Sequence, residues 1–401
     1  MTAYRQVWWK VCSRAHAMHI LYTNFHVGPH IGGHTIYVSR LAAGLSGQCR
    51  VAVATPATSA LYALAGKIPG VTRHAQDYPS RFYRIPAALR TMRGLLKAQR
   101  FDVVHVNGSA DHRLVIMATR FMKNRPRIVF TKHNTIPISR TSAALRARYG
   151  TDHVIAVCKH VEQRVRNSPY AACGVSTIGN GVDTDCFRPP DEATAAAHRR
   201  ALLGERADNR IVLGSNAGTA SYKAWLDMVR ALALLPAEIA DRFHIALAGE
   251  AFSQSQQAEL DASGMAARVT HAGSLADVRP FIAAIDVGFV LSTRVETISF
   301  ACREMMAMGK PVIVTDYAGL PENIDPGRDG WVVPPARPEA LAELLRGMAG
   351  GACDLREMGQ AARRKSLAAF GLQHFLANTI QVYRTVSGRP AMDRPPQPCT
   401  S

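Results

Sequence analysis

Two glutamates eight residues apart, Glu296 and Glu304, stand in the part of the chain richest in chemistry, Ser292-Thr-Arg-Val-Glu296-Thr-Ile-Ser-Phe-Ala-Cys-Arg-Glu304-Met-Met-Ala-Met-Gly309-Lys-Pro311. A strand ends near Leu291 and a loop carries Glu296. A helix is predicted from about Ser299 to Met308, where Gly309 stops it and Pro311 opens another strand. The backbone N–H groups of Ile298, Ser299 and Phe300 at such a helix start favour an anion and suit a pyrophosphate. Glu304, about a turn further in, can accept both hydroxyls of a ribose. A glycosidase carboxylate pair fits poorly: eight helical residues rise about 12 Å, beyond the roughly 5–10 Å such pairs use. Most glutamates are solvated charges, so the spacing alone is weak; its setting between that strand and Gly309-Lys-Pro311-Val-Ile-Val gives it weight.

Other candidates sit at strand ends. Gly32-Gly33 follow the first strand, where they allow close approach of backbone to a donor phosphate or acceptor, or form a tight turn. Asn107-Gly108-Ser109 follow another strand; Asn107 and Ser109 either touch an acceptor or cap the next helix. His133 closes Phe130-Thr-Lys-His133-Asn134, and Asn216-Ala-Gly218-Thr219 is either an anion nest or a plain turn. The glycine loop is not Gly-x-Gly-x-x-Gly and no acid follows about 20 positions on, which argues against a dinucleotide-dependent dehydrogenase. No Asp-x-Asp marks a strand end, so no metal is expected.

The elements that must hold these residues alternate along the chain. Strands are predicted at Met18–Asn24, Arg50–Ala54, Asp102–Val106, Arg127–Thr131, His153–Val157 and Val175–Ile178. Helices fall between them, at Thr35–Leu45, Ala87–Gln99 and Cys158–Asn167. A Pro-rich, charged stretch from Phe187 reads as a linker. The rhythm then restarts at Ile211–Gly214, His244–Ala248, Arg268–His271, Val287–Leu291 and Pro311–Val314. The prediction is α/β, with two Rossmann-like doubly wound parallel-sheet domains. Their expected bounds are a 1–17 extension, an 18–187 first domain and a 188–370 second domain. A 371–387 helix returns to the first domain, and a 388–401 tail follows. Ligands in such sheets bind beyond the carboxyl ends of the strands, which puts the site in an interdomain cleft.

The segment around Glu296 and Glu304 resembles the donor-site signature of retaining GT-B glycosyltransferases of the family 4 (group 1) type. Gly32-Gly33-His34-Thr35, Phe130-Thr-Lys-His133-Asn134, Asn180-Gly181-Val182-Asp183, and Gly319-Leu-Pro321-Glu322 resemble that family in its order, over residues 18 to 350. The resemblance implies that the first domain is the acceptor domain and the second the donor domain, that His133 and Glu296 orient the transferring sugar, and that Lys223 neutralises the diphosphate. Asn216, Gly32, Gly33, Ile298, Ser299, Phe300 and Glu304 complete the implied donor site. In one respect the chain departs: the family's usual Arg five residues before the Lys is Gly218 here.

The net charge is +18 and lies entirely at one end, because residues 1–160 hold 23 Lys and Arg against Asp77, Asp102, Asp111 and Asp152. Such a field draws anionic partners. Arg90, Arg93, Lys97 and Arg100 recur at near-helical spacing opposite Leu89, Met92, Leu95 and Leu96. This is either a solvated helix face or a peripheral surface for an anionic bilayer; with little aromatic interleaving, nucleic acid is not expected. The eight cysteines form no Cys-x-x-Cys pair and read as reduced thiols of a cytoplasmic protein. Residues 1–17, with Trp8 and Trp9, are either a tail before a true start at Met18 or an interfacial anchor.

The resulting expectation is a retaining, metal-independent, cofactor-free glycosyltransferase. It would use a nucleotide diphosphate sugar and a glycolipid or glycan acceptor, in bacterial lipopolysaccharide or surface polysaccharide synthesis, at the inner face of the cytoplasmic membrane. A nucleotide-sugar epimerase of related fold and a basic nucleic-acid-binding protein are the alternatives.

Overall fold

The computed structural model describes residues 17–29, 31–204 and 209–389. The 1–17 extension except Ala17, the tail beyond Arg389, Cys12, Cys399, Trp8 and Trp9 lie outside the described residues. The chain divides into two compact units. One comprises the chain to His133, Pro137–Ile178 and the residues from Phe375 onward; the other comprises Gly179–His374 with Asn134–Ile136. The division thus falls at 178/179, before the expected 187/188. The reason is that Asn180–Asp183 packs on the second unit: Val182 donates to the Phe370 carbonyl at 2.8 Å, and Leu372 donates back to Val182 at 2.8 Å.

The first unit runs β1 (His19–Thr23), α1 (Gly33–Leu45), β2 (Arg50–Thr55), α2 (Ala60–Ala65), β3 (Val71–Ala75), α3 (Ile85–Ala98), β4 (Val103–Val106), α4 (Ser109–Thr119), β5 (Arg127–Lys132), α5 (Arg140–Tyr149), β6 (His153–Ala156), α6 (Lys159–Arg166) and β7 (Gly174–Thr177). Its seven strands are parallel, in the order β3-β2-β1-β4-β5-β6-β7. Every residue of β1 and β4 is buried, as required of strands with helices on both faces. Edge strand β3, Val-Thr-Arg-His-Ala, has no fully buried residue and was not expected, because it lacks an apolar run.

The second unit runs α7 (Glu192–Leu203), β8 (Ile211–Ser215), α8 (Leu226–Ala233), α9 (Ala237–Ala240), β9 (Phe243–Leu247), α10 (Gln254–Ala262), β10 (Val269–His271), α11 (Arg279–Ala284), β11 (Val287–Val290), α12 (Phe300–Ala307), β12 (Val312–Thr315), β13 (Gly330–Val333), α13 (Pro338–Ala349) and α14 (Leu355–Lys365). Its six parallel strands order as β10-β9-β8-β11-β12-β13. The four-residue β13 was likewise not expected. Two apolar clusters line the faces of this sheet, one around Met305, Met306 and Ile282, the other around Trp225, Phe289 and Leu345. α15 (Leu372–Ser387) closes the described chain, and from Phe375 it belongs to the first unit.

Both sheets are doubly wound. Strand order reverses between β1 and β4 in the first unit and between β8 and β11 in the second, and such reversal points open a crevice for ligands.

Candidate active site

The candidate residues of the second unit fall on the two loops of its reversal point. After β8 the chain runs Asn216 to Lys223; after β11 it runs Ser292 to Ser299 and enters α12. The Thr293 amide donates to the Tyr222 carbonyl at 2.9 Å, tying the two loops together. Lys223 Nζ lies 2.6 Å from Glu296 Oε2, and both side chains are largely buried. Glu296 also accepts from Ser292 Oγ at 3.4 Å and from the Thr297 amide at 3.2 Å. On α12, Glu304 Oε2 accepts from Asn216 Nδ2 at 3.2 Å, while Asn216 Oδ1 is buried without a partner. Glu304 is a buried residue, 8% exposed, and the bond from Asn216 orients its carboxylate.

Backbone strain collects in these loops. Ala224 (φ 49°), Val295 (φ 60°) and Ser299 (φ 51°) are all left-handed without being glycine, a conformation costing of order 1–3 kcal/mol each where the surroundings impose it. Ser299 is the N-cap of α12 and its Oγ accepts from the Cys302 amide at 3.4 Å; no acidic side chain occupies the first turn. Asn323 Nδ2 donates to the Ile298 carbonyl at 2.8 Å and fixes the approach to that helix. Arg303, buried, donates to Asn323 Oδ1 at 2.9 Å and to the Asn180 carbonyl, and lies 4.1 Å over the Phe370 ring.

Gly218 has φ +92°, a backbone that disfavours any side chain, arginine included. A Cβ on neighbouring Gly249 would lie 2.8 Å from Gly218 Cα and from the Thr219 nitrogen. Here the strand end of β9 presses on the loop. Of the suspected nest, the Ala217 amide is engaged by Ser215 Oγ at 3.3 Å. Trp225 pins the loop's far side: its Nε1 donates to the Thr219 carbonyl at 3.1 Å and its ring stacks on Phe252 at 4.4 Å.

In the first unit, His133 Nε2 lies 2.8 Å from Asn107 Oδ1. Asn107 Nδ2 donates to the Thr23 carbonyl at 3.0 Å, so its oxygen faces the imidazole and His133 carries its proton on Nε2. The Asn107 amide and Thr23 Oγ1 both donate to Asp111 Oδ2 at 2.7 Å. Burial raises the Asp111 carboxyl to about 6 and drives the His133 imidazole well below its ordinary value. Asn107 and Ser109 do not cap α4: its N-cap is Gly108 with no side-chain bond, and Asp111 in the first turn takes the Asn107 amide instead. Gly32 and Gly33 do not form a tight turn. Gly32 is the extended N-cap of α1 and Gly33 its first residue; both are exposed, and a Cβ on either would meet nothing within 4 Å. The protein's own packing does not demand these glycines.

Residues 31–186 match the family described as Glycosyltransferase Family 4, and residues 209–349 match Glycosyl transferases group 1. The two matches fall one on each sheet and follow the chain order of the paired Rossmann-like units. The chain is a family 4-like, group 1 glycosyltransferase. Its fold is GT-B. Among relatives of this glycosyltransferase, the GDP-mannose-dependent alpha-(1-6)-phosphatidylinositol monomannoside mannosyltransferase of Mycobacterium tuberculosis is 27% identical over 311 residues, 71% of this chain and 78% of that protein. A glycosyltransferase from Rickettsia africae superposes with TM-score 0.80 at 18% identity, covering 92% of this chain and 99% of that one. Anabaena HepE in complex with UDP superposes with TM-score 0.77 at 18% identity, over 92% of this chain and 100% of that one.

The glycosyltransferase thus brings its sequence-predicted residues together in three pairs: Lys223 with Glu296, Asn216 with Glu304, and His133 with Asn107. Because Glu296 precedes α12, a helical rise does not measure its separation from Glu304. Sequence reasoning missed Asp111, Asn323 and Trp225. Only Asp111 carried a signal, as one of four acids in a basic stretch at a helix start.

Proposed function

We propose that this glycosyltransferase transfers a sugar, with retention of anomeric configuration, from a nucleoside-diphosphate sugar to a glycolipid or glycan acceptor of a bacterial surface. The single observation that carries this is Glu304, held in place on α12 by Asn216 from the facing loop. A carboxylate fixed within a turn of a helix start offers two oxygens to the vicinal hydroxyls of a ribose. The helix start, free of acidic side chains in its first turn, accommodates the diphosphate. Lys223 and the helix dipole stabilise the leaving diphosphate without a metal, and Ile298, Ser299 and Phe300 supply backbone donors. Glu296 and His133 orient the transferring sugar; the Lys223–Glu296 contact makes the cation available only as diphosphate competes with the carboxylate. Two similar proteins lend support: the mycobacterial relative is a GDP-mannose-dependent phosphatidylinositol monomannoside mannosyltransferase, and HepE forms a complex with UDP.

On this reading the enzyme works at the inner face of the cytoplasmic membrane. α3 buries Ala88, Met92 and Leu96 and leaves Arg90 and Lys97 exposed, with Arg100 exposed just after it and Phe82 and Tyr83 exposed just before it. Cations beside exposed aromatic rings suit an anionic bilayer.

Calorimetry with UDP, GDP and ADP tests the donor site. One nucleotide is expected to bind wild type and to lose at least tenfold in affinity in Glu304→Ala. Equal binding by both proteins rejects the role of Glu304. Turnover in excess EDTA is expected to match that in its absence.

A further inference from the structure

A cavity of about 940 Å³ opens in the second unit, at the edge of its sheet opposite the donor loops. Ile211 opens β8, Asp286 precedes β11 and Lys310 precedes β12, and all three line it. Helices α7 and α14 form its walls. A Cβ on Gly359 of α14 would collide with the Gly309 carbonyl oxygen, so α14 presses on the turn after α12 and the cavity opens beside that contact. Met308, Ile211 and Pro190 give it apolar surface, and Lys310, Arg356, Arg363 and Arg364 bring cations. Internal packing gives these cations little acid to meet. Arg363 donates to the carbonyls of Phe187, Ala307 and Thr184 at 2.7, 2.7 and 3.0 Å, and Asp185 acts on it only through space. Lys310 Nζ donates to the Ala283 carbonyl at 3.3 Å, and burial lowers its pKa although Asp286 opposes the shift. Asp286 is itself held by Arg199 at 2.8 Å and by the Val212 amide at 2.7 Å. Arg356 stands in the first turn of α14, where the helix dipole opposes a cation. It pairs with Glu192 at 3.8 Å, and both side chains are largely exposed. Arg364 is exposed and joins no ion pair among the described residues. Residues 161–401 hold 25 Lys and Arg against 26 Asp and Glu, so the cavity concentrates positive charge in a half of the chain that has no excess of it.

We propose that this cavity is a second ligand site of the enzyme, for a small organic phosphate. The phosphate meets Arg356, Arg364 and Lys310, and the organic part covers Met308, Ile211 and Pro190. Guanidinium groups present paired N–H donors that match phosphate oxygens, and the volume lies in the range of small-molecule sites. The occupant is neither the donor nor the sugar in transfer, because Asn216, Lys223 and Glu296 lie on loops that leave the other ends of the same strands. One helix reaches both places: α12 starts at Ser299 among the donor loops and ends at Ala307, whose carbonyl Arg363 holds. The site stands whether or not Glu304 receives a ribose.

Phenyl phosphate is the probe, and acetylation of the full chain by acetic anhydride reads where it binds. A lowered pKa leaves Lys310 more free amine at neutral pH and makes it reactive. Peptide mass spectrometry then follows Lys310 and Lys223 separately. Phenyl phosphate is expected to protect Lys310 saturably, at a concentration about threefold below that needed of inorganic phosphate. Arg356→Gln with Arg364→Gln, both at exposed positions that the fold tolerates, should raise the protecting concentration about tenfold while leaving nucleotide affinity unchanged. Lys223→Ala should leave protection of Lys310 as in wild type. Calorimetric titration of phenyl phosphate into the same proteins gives the comparison without a label. Lys310 acetylation that ignores phenyl phosphate, binding that survives the double substitution unchanged, or inorganic phosphate that protects as well as phenyl phosphate overturns the proposal. Nucleotide titrations of the same samples report on the donor site alone.

Discussion

At the scale of single residues, the two units use buried charge in opposite ways. Lys223 and Glu296 are paired, so removing one leaves the other as an uncompensated, largely buried ion. Lys223→Ala is expected to lower unfolding free energy by about 3 kcal/mol. Lys223→Ala with Glu296→Gln should recover most of that stability but no activity; urea unfolding and turnover on the same preparations check both. Asp111 has no cation among the groups acting on it. Its folded value is raised to about 6 against an ordinary value of 3.8, so the native state binds more protons between them. Stability therefore falls as pH rises from about 4 to about 6, by an amount on the order of 3 kcal/mol, and stays reduced above. Asp111→Asn should flatten that slope, read as the difference between urea midpoints of variant and wild type at pH 4, 5, 6 and 7. Glu296, Lys223 and His133 stood out in the chain because each follows a strand within a distinctive run, and Glu304 because it lies on the helix that the run around Glu296 leads into. Their partnerships did not: Lys223 and Glu296 are 73 residues apart, and no local pattern encodes such a meeting. Nor could composition distinguish Asp111, which bonds Thr23 88 positions away.

Among elements, the loops after β8 and β11 are shaped by close backbone approach as much as by side chains. Gly249 is the sharpest case, with φ +156° and backbone atoms of Gly218 and Thr219 where a Cβ would go. Both obstacles are backbone and cannot swing aside. Gly249→Ala should cost about 2–3 kcal/mol and weaken nucleotide binding with it, by thermal unfolding and calorimetry. Gly249→Ala retaining wild-type nucleotide affinity would mean that the loop after β8 does not shape the donor site. The alternation of apolar runs with amphipathic helices made most of the elements readable, since buried parallel strands such as β1, β4, β9 and β12 are predominantly apolar stretches. Edge strand β3 escaped because its five mixed residues carry no clear period, and β13 because the four residues Gly-Trp-Val-Val are too short a run to declare a strand. The boundary was misplaced for a related reason: Phe187-Arg-Pro-Pro marks where regular structure pauses, whereas the packing of Val182 against Phe370 and Leu372 is decided in three dimensions.

For the molecule as a whole, the asymmetry of charge is the strongest feature that the amino-acid composition announces, and the exposed cations on and just beyond α3 are where it can act. Flotation with vesicles containing phosphatidylglycerol should recover the protein, and Arg90→Glu with Lys97→Glu and Arg100→Glu should reduce recovery several-fold. Recovery that ignores lipid charge would exclude this face as a membrane surface. Arg93 is left intact because it donates to the Met117 carbonyl at 3.2 Å. The described chain also begins and finishes in the same unit. Tyr383 of α15 meets His105 Nδ1 at 2.5 Å and Tyr22 at 3.3 Å, and Leu376 fills the space that a Cβ on Gly44 would take. A ribosome releases β1 to β7 some two hundred residues before it releases these partners. The half made first must therefore wait, with His105 Nδ1 and the Tyr22 hydroxyl lacking Tyr383, while the half made second can close around its own strands. Order of synthesis and order of completion are reversed, and a chain cut short before Phe375 would leave its older half unfinished.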